Sequence, residues 1–367
     1  MPAPVRPPPE MPNRAAEFRY FRPIAFGLAA SAGIYVTAAV VYDNESQKSW
    51  LRLQYIRDRF RRWSFRGGQV DEEGLMAALW REKRDMLDEK SRLFMRKVRR
   101  TLDKLELPPA LDDAITMLAD KYAGFSEADK TMAALIAINL AVFSLWQIPA
   151  MAPFMTRWFT HHPGSGRSIT LLTSCFSHAS FFHLGFNMLG LWSFGPLVYD
   201  ELGREQFLAM YLGTGIGANI ISHIGNLRLH PRRMLAPSLG ASGALYGLLT
   251  ATAIIHPHAQ VAIAFLPFIP ITISTAVGGL MTMDALGIIC GWRAFDHFAH
   301  LAGAGIGLGY LTFGEQYMWQ PLVRKIREIR SKRRGGGGGG SGEPQLPLEM
   351  QARSRFPWWF RGNPSKE

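Results

Sequence analysis

The sequence predicts an all-α integral membrane protein: one isolated transmembrane helix, a helical soluble insert, then a core of six further spans. Three observations carry this. Between Thr131 and Glu315 only thirteen residues are charged, although the chain carries 41 basic and 29 acidic residues in all. A segment so bare of charge reads as a body embedded in a bilayer, with basic arms on either side. Ile24–Tyr42 contains no charge at all, and about 20 residues at ~1.5 Å rise match the hydrocarbon thickness of a membrane. The two cysteines, Cys175 and Cys290, lie far apart; they cannot build a disulfide framework or a Cys-rich zinc site. A hydrophobic content of 48% excludes disorder throughout the chain.

The elements follow in order. Met1–Pro23 holds five prolines in its first nine residues and four arginines, so residues 1–23 are expected to be a mobile tail. Residues 24–42 form the extra transmembrane helix. Its length and its proline-rich leader with Glu10 and Glu17 suit a cleaved signal peptide poorly. From Asp43 to Lys130 the character inverts. After a break at Gly67-Gly68, Asp71-Glu72-Glu73 suits a helix start, Leu75, Leu79, Met86, Leu93, Leu102 and Leu105 roughly share one face, and Pro108-Pro109 stops the helix. Residues 43–130 therefore read as a soluble or membrane-surface insert. The run Arg57-Asp58-Arg59-Phe60-Arg61-Arg62-Trp63 mixes cations and aromatics as a helix on anionic lipid headgroups does. A plain solvated hairpin is the bland alternative. Nucleic acid is not the expected partner, because a segment tethered between spans meets lipid first.

Residues 131–315 form the membrane core. Spans are expected at Met132–Ile148, His183–Tyr199, Phe207–Ile224, Ala241–Ile255, Ala276–Cys290 and His297–Phe313. Met151–Ile169 is an interfacial connection, and Pro267 and Pro270 make a continuous helix over Ile263–Thr275 unfavourable, leaving a packed or re-entrant connector. Residues 316–367 begin basic, enter the glycine run Gly335–Gly340 and end with Trp358 and Trp359, a flexible tail.

Polar side chains inside a bilayer are costly, and chemistry is sought there first. Three clusters stand out: His178 with His183 and Asn187, Gly240-Ala-Ser242-Gly243, and Asp296-His297-Phe-Ala-His300-Leu-Ala-Gly303. His183 and Asn187, four apart, share a helix face. Ser242 alone is more readily a cap than a nucleophile. Its surroundings change that: Gly240 lets backbone approach closely, Gly243 and Gly247 make a small-residue ridge, and Gly303 and Gly307 make a matching one. Two spans meeting through glycine can bring a serine and a histidine into hydrogen-bond reach. His297 and His300 lack a third ligand at conventional spacing, so no metal is expected. Asp296 reads as a helix cap; Asp284, inside a span, is either functional or a packed hydrogen-bonding group.

His183…Asn187, Gly240-Ala-Ser242-Gly243 and Ala299-His300-Leu-Ala-Gly303, in this order on successive spans, resemble the rhomboid intramembrane serine proteases over Thr131–Glu315. The span ahead of the six-helix core (a 1+6 arrangement), Ser238-Leu-Gly-Ala-Ser242-Gly-Ala, Phe295-Asp-His-Phe-Ala-His300 and the basic tail running into glycines look like the mitochondrial subgroup. Arg157-Trp158 departs from the Trp-Arg order of many bacterial members. The resemblance implies a serine endopeptidase with Ser242 as nucleophile and His300 as general base, a Ser-His dyad, and an oxyanion held by the Ser242 N–H, Asn187 and His183. It further implies transmembrane segments of other proteins as substrates, membrane lipids as surroundings, room for a homo-oligomer, no cofactor, and the mitochondrial inner membrane as location. The rivals are an inactive relative that binds helices without cutting them and a transporter; the presence of both Ser242 and His300 speaks against the first, and the lack of an internal repeat against the second.

Overall fold

The computed structural model of the chain describes residues 18–64, 72–178, 180–229, 237–263, 266–292 and 295–334. The first helices are α1 (Phe18–Ser64), α2 (Glu72–Leu105), α3 (Pro109–Ala123) and α4 (Glu127–Trp146). Two short helices, α5 (Ala152–Trp158) and α6 (Thr170–Thr173), lie in the connection that follows. Then come α7 (Phe181–Leu202), α8 (Arg204–Leu229) and α9 (Ser242–Ile255). A hairpin of β1 (Gln260–Ile263) and β2 (Leu266–Thr272) leads to α10 (Ile273–Ile289) and α11 (His297–Gly309), and a π-helical stretch, Tyr310–Trp319, runs into α12 (Gln320–Arg334). α1, α4 and α7–α11 occupy the seven segments read as spans. Tyr20–Lys48, Glu127–Trp146 and Arg204–Arg228 are long and apolar enough to cross a membrane; Ser242–Ile255 and Ile273–Ile289 are apolar but shorter.

The chain divides into two units, Met1–Ala39 with Ala134–Lys325, and Val40–Ala133 with Ile326–Glu367. In the first, α9 is the central element, packed by α7, α8, α10 and α11. Such crowding needs small residues. A Cβ on Gly243 would meet Ala218 at 2.8 Å, and one on Gly247 would meet Thr214 at 2.6 Å. The extra span joins the same unit: a Cβ on Gly27 would reach Ile220 at 2.5 Å, one on Gly213 would reach Tyr35 at 2.9 Å, and the Tyr35 and Tyr310 rings lie 5.8 Å apart.

In the second unit α2 and α3 pack through Phe94 and Tyr122, with ring centroids 5.5 Å apart, and the Ser91 hydroxyl donates to the Ala123 carbonyl at 3.3 Å. Asp43, fully buried, accepts from Arg327 Nε at 3.0 Å and pairs with Arg330. Two guanidinium partners offset the desolvation of that carboxylate.

Three expectations change. The extra helix does not span 24–42 alone: α1 starts at Phe18 and continues to Ser64, because no proline or glycine interrupts 43–64 and Pro23 removes one backbone donor near the start without ending the helix. The segment from 316 is helical to Arg334 rather than flexible, its Arg- and Lys-rich sequence being a good helix former. The connector expected over Ile263–Thr275 supplies the second strand of an antiparallel hairpin whose first strand precedes it, Val261 pairing with Ile271 and Ala262 with Pro270. β-Branched residues and two prolines favour strand over helix there, and the Thr272 hydroxyl caps α10 by accepting from Thr275 N–H. The Gly67-Gly68 break, Asp71, the glycine run and residues 1–17 lie outside the described residues, as do the side chains of 57–63.

Candidate active site

Ser242 is the first residue of α9, and the chain that delivers it is tied down on both sides. Ser238 pairs through both backbone bonds with His161, each 2.9 Å, and Gly240 N–H donates to the Ser174 carbonyl at 3.0 Å. Gly240 sits at φ +132°, a conformation that L side chains rarely adopt. The place its side chain would fill is already bounded, 2.9 Å from His183 Nε2 and 3.8 Å from Ser242 Oγ. Glycine at 240 is thus what lets the imidazole and the hydroxyl stand beside one another.

α11 brings His300 to the serine through the glycine seam. A Cβ on Gly303 would overlap the Gly243 carbonyl oxygen, and one on Gly307 would come within 2.5 Å of the Gly247 carbonyl. With backbones this close, His300 Nε2 lies 2.9 Å from Ser242 Oγ, a hydrogen bond. The His300 ring stacks on Tyr246, centroids 4.3 Å apart and planes 11° off parallel. Tyr246, four residues after Ser242, shares its face of α9, and that spacing was a usable signal the sequence reading passed over.

Behind His300 stands a carboxylate. Asp284 Oδ1, fully buried on α10, lies 3.0 Å from His300 Nδ1 and 2.5 Å from His297 Nδ1. The Ser242 hydroxyl, the His300 imidazole and the Asp284 carboxylate thus stand in line, where the sequence led us to expect the first two alone. Asp284 as acceptor fixes the proton on Nδ1 of His300 and leaves Nε2 bare to accept. Asp296, the nearer acid in sequence, does otherwise. It caps α11 by accepting from Ala299 N–H at 3.2 Å and takes the Ser222 hydroxyl at 2.8 Å.

His297 and His300 have no third ligand at conventional spacing in the sequence, but the fold brings one to them from another helix. Asp284, His297 and His300 offer ligand atoms within 4.8 Å of one another, a set that could hold a cation. Both imidazole nitrogens nevertheless converge on the same oxygen, Oδ1, at N–H···O distances. That geometry suits shared protons.

Asn187 and His183 lie on α7, whose start is fixed by Ser180 Oγ accepting from His183 N–H at 3.2 Å. Asn187 is buried, and its amide donates one proton to the His183 carbonyl at 2.6 Å, leaving the second N–H as a donor. His183 contacts the ring of His178, 5.0 Å between centroids. In the connection before α7, burial holds His178 at a pKa of about 3 and, with His223 and His162 adding repulsion, His161 likewise at about 3. Both are neutral at ordinary pH. His161 Nδ1 bonds Thr170 Oγ1 at 2.9 Å and its Nε2 bonds His223 at 3.0 Å, anchoring the connection to which Ser238 is tied.

A hydroxyl, a base and an acceptor in line, with amide and imidazole donors on the neighbouring helix, form a set able to attack a carbonyl and hold the negative charge that results. Comparison with known proteins points the same way. A rhomboid domain model matches residues 165–315. The chain is 34% identical over 333 residues to presenilin-associated rhomboid-like protein A, mitochondrial, of Danio rerio, covering 89% of this chain and 80% of that one. It is 40% identical over 221 residues to the Homo sapiens presenilin-associated rhomboid-like protein, mitochondrial, covering 59% and 58% respectively. Rhomboid protein 1, mitochondrial, of Saccharomyces cerevisiae is 36% identical over 178 residues, 48% of this chain and 51% of that one. The match thus spans little more than half of the human relative's length.

Proposed function

The chain belongs to the rhomboid family, on its presenilin-associated mitochondrial branch, and from that premise we propose that it is an intramembrane serine endopeptidase that cuts transmembrane segments of other membrane proteins in the mitochondrial inner membrane. The observation that carries the reading is the 2.9 Å contact of Ser242 Oγ with His300 Nε2, backed by Asp284. Ser242 Oγ attacks the scissile carbonyl while His300 Nε2 takes its proton. The tetrahedral oxyanion is held by the Ser242 N–H, the second N–H of Asn187 and His183. His300 then returns the proton to the leaving amine, and water completes hydrolysis of the acyl-enzyme by the same route in reverse. Asp284 accepts from His300 Nδ1 throughout, stabilising the imidazolium formed in each step.

A substrate helix must unwind at the cut, because intrahelical hydrogen bonds hide its carbonyls; helix-weak residues near the scissile bond favour this. A role in mitochondrial proteolytic processing and quality control follows from that activity. The test is cleavage of a labelled single-span protein in proteoliposomes, with fluorophosphonate labelling of the serine in parallel. Wild type cuts and is labelled, and Ser242→Ala does neither. Cleavage that survives Ser242→Ala would falsify the nucleophile. A folded wild type that binds the helix without cutting it favours the binding-only reading.

A further inference from the structure

Asp284 serves two imidazoles, and the mechanism above uses one. His297 stands three residues before His300 on the same face of α11, and its Nδ1 lies 2.5 Å from Asp284 Oδ1, closer than His300. Its ring is 1% exposed and the carboxylate 0%, so no water competes for the contact. The ring is also lodged in a built slot. Gly287, one turn beyond Asp284 on α10, has no side chain where the imidazole lies, and a Cβ there would overlap His297 Nε2 and come within 2.7 Å of its Cδ2. A buried carboxylate with one donor is free to swing about its χ angles; with two donors on one oxygen it is held.

We propose that His297 is a positioning residue for the reaction. It donates from Nδ1 to Asp284 and holds Oδ1 where His300 needs it, so that the serine is backed by three side chains, His300, Asp284 and His297. The inference rests on the reading of Ser242 and His300 as the reacting pair. The proton balance is simple: the His297 proton stays on Nδ1 throughout, and the only protons that move are those exchanged between Ser242, His300, the leaving amine and water.

The test is a set of three single variants and one cycle in full-length protein, with kcat and KM, fluorophosphonate labelling and thermal unfolding read together. His297→Asn places an amide N–H where Nδ1 was and keeps most of kcat. His297→Gln carries the amide to the place of Nε2, away from Asp284, and lowers kcat by roughly 10- to 100-fold with KM within about twofold. Gly287→Ala, which touches neither Ser242 nor His300, expels the ring from its slot and lowers kcat and labelling as His297→Gln does. In an Asp284→Asn background, His297→Gln costs less than about twofold more, because what it positions is gone. Wild-type kcat and labelling in His297→Gln overturn the proposal. So do equal losses in the Asn and Gln variants, or full additivity with Asp284→Asn. If instead Ser242→Ala still cuts, the underlying reading has failed whatever the His297 variants do.

Discussion

The seam between α9 and α11 and the contact between α2 and α3 are both helix against helix, and opposite means hold them. At the seam, glycine meets backbone: Gly303 faces the Gly243 carbonyl and Gly307 the Gly247 carbonyl, with no side chain between them. Between α2 and α3 the side chains do the packing, through Phe94 and Tyr122, while the flanks carry exposed charge such as Arg84, Arg96 and Arg99. The seam is the tighter because it must bring a hydroxyl and an imidazole together among apolar residues, where a misplaced polar group has no water to fall back on. The α2–α3 pair meets no such demand, and its tolerance to change should be ordinary.

Variants separate the two regions most sharply at the seam. Gly303→Leu forces α11 off α9, and we expect no measurable cleavage together with a lowered melting temperature; cleavage near wild type would show that the seam is looser than its geometry. Asn187→Ala leaves the seam intact and removes the amide proposed as an oxyanion donor, for which a fall of about 10²–10³-fold in kcat is expected, read in the proteoliposome assay with thermal unfolding little changed.

A smaller effect concerns the connection that ties Ser238 in place. His161 has a pKa of about 3 in the fold against an ordinary value of 6.5, so between these values the unfolded chain binds the extra proton. Stability is therefore lost as pH falls below 6.5, by about 1.4 kcal/mol per pH unit for a fully buried group, until the folded pKa is reached. His161→Gln should flatten the decline of melting temperature over pH 6.5 to 4; an unchanged slope would remove this histidine from the account. Smallest of all is Phe94→Ala, which loses a ring pair worth about 1 kcal/mol. Faster hydrogen exchange in α2 and α3 is expected, with cleavage within about twofold of wild type. A large loss of cleavage there would erase the contrast between the regions.

Much of the site is legible in the chain because its signals are local. Ser242 is flagged by Gly240 and Gly243, and the matching ridges are flagged by the four-residue spacing of Gly243 with Gly247 and Gly303 with Gly307, since i and i+4 share a helix face. His183 and Asn187 follow the same rule. Helix limits were less legible. α1 overran its expected ends because apolarity marks what lipid covers, whereas a helix continues until a residue breaks it. The hairpin at 260–272 was missed because short apolar runs carry no period that separates strand from helix.

Residue order, spacing and the lack of charge were enough to say that this is a bundle of spans with a serine and a histidine on two glycine-faced helices. Which acid completes the set was not available at that level. Asp296 lies four residues from His300 and Asp284 sixteen, yet it is Asp284 whose oxygen the imidazole meets, while Asp296 is spent on Ser222 and the α11 cap. The reason is physical. Neighbours along a helix are dictated by its 3.6-residue turn, but the partner of a buried carboxylate depends on how two helices are rotated and offset against each other, and that is settled by the packing of every side chain between them.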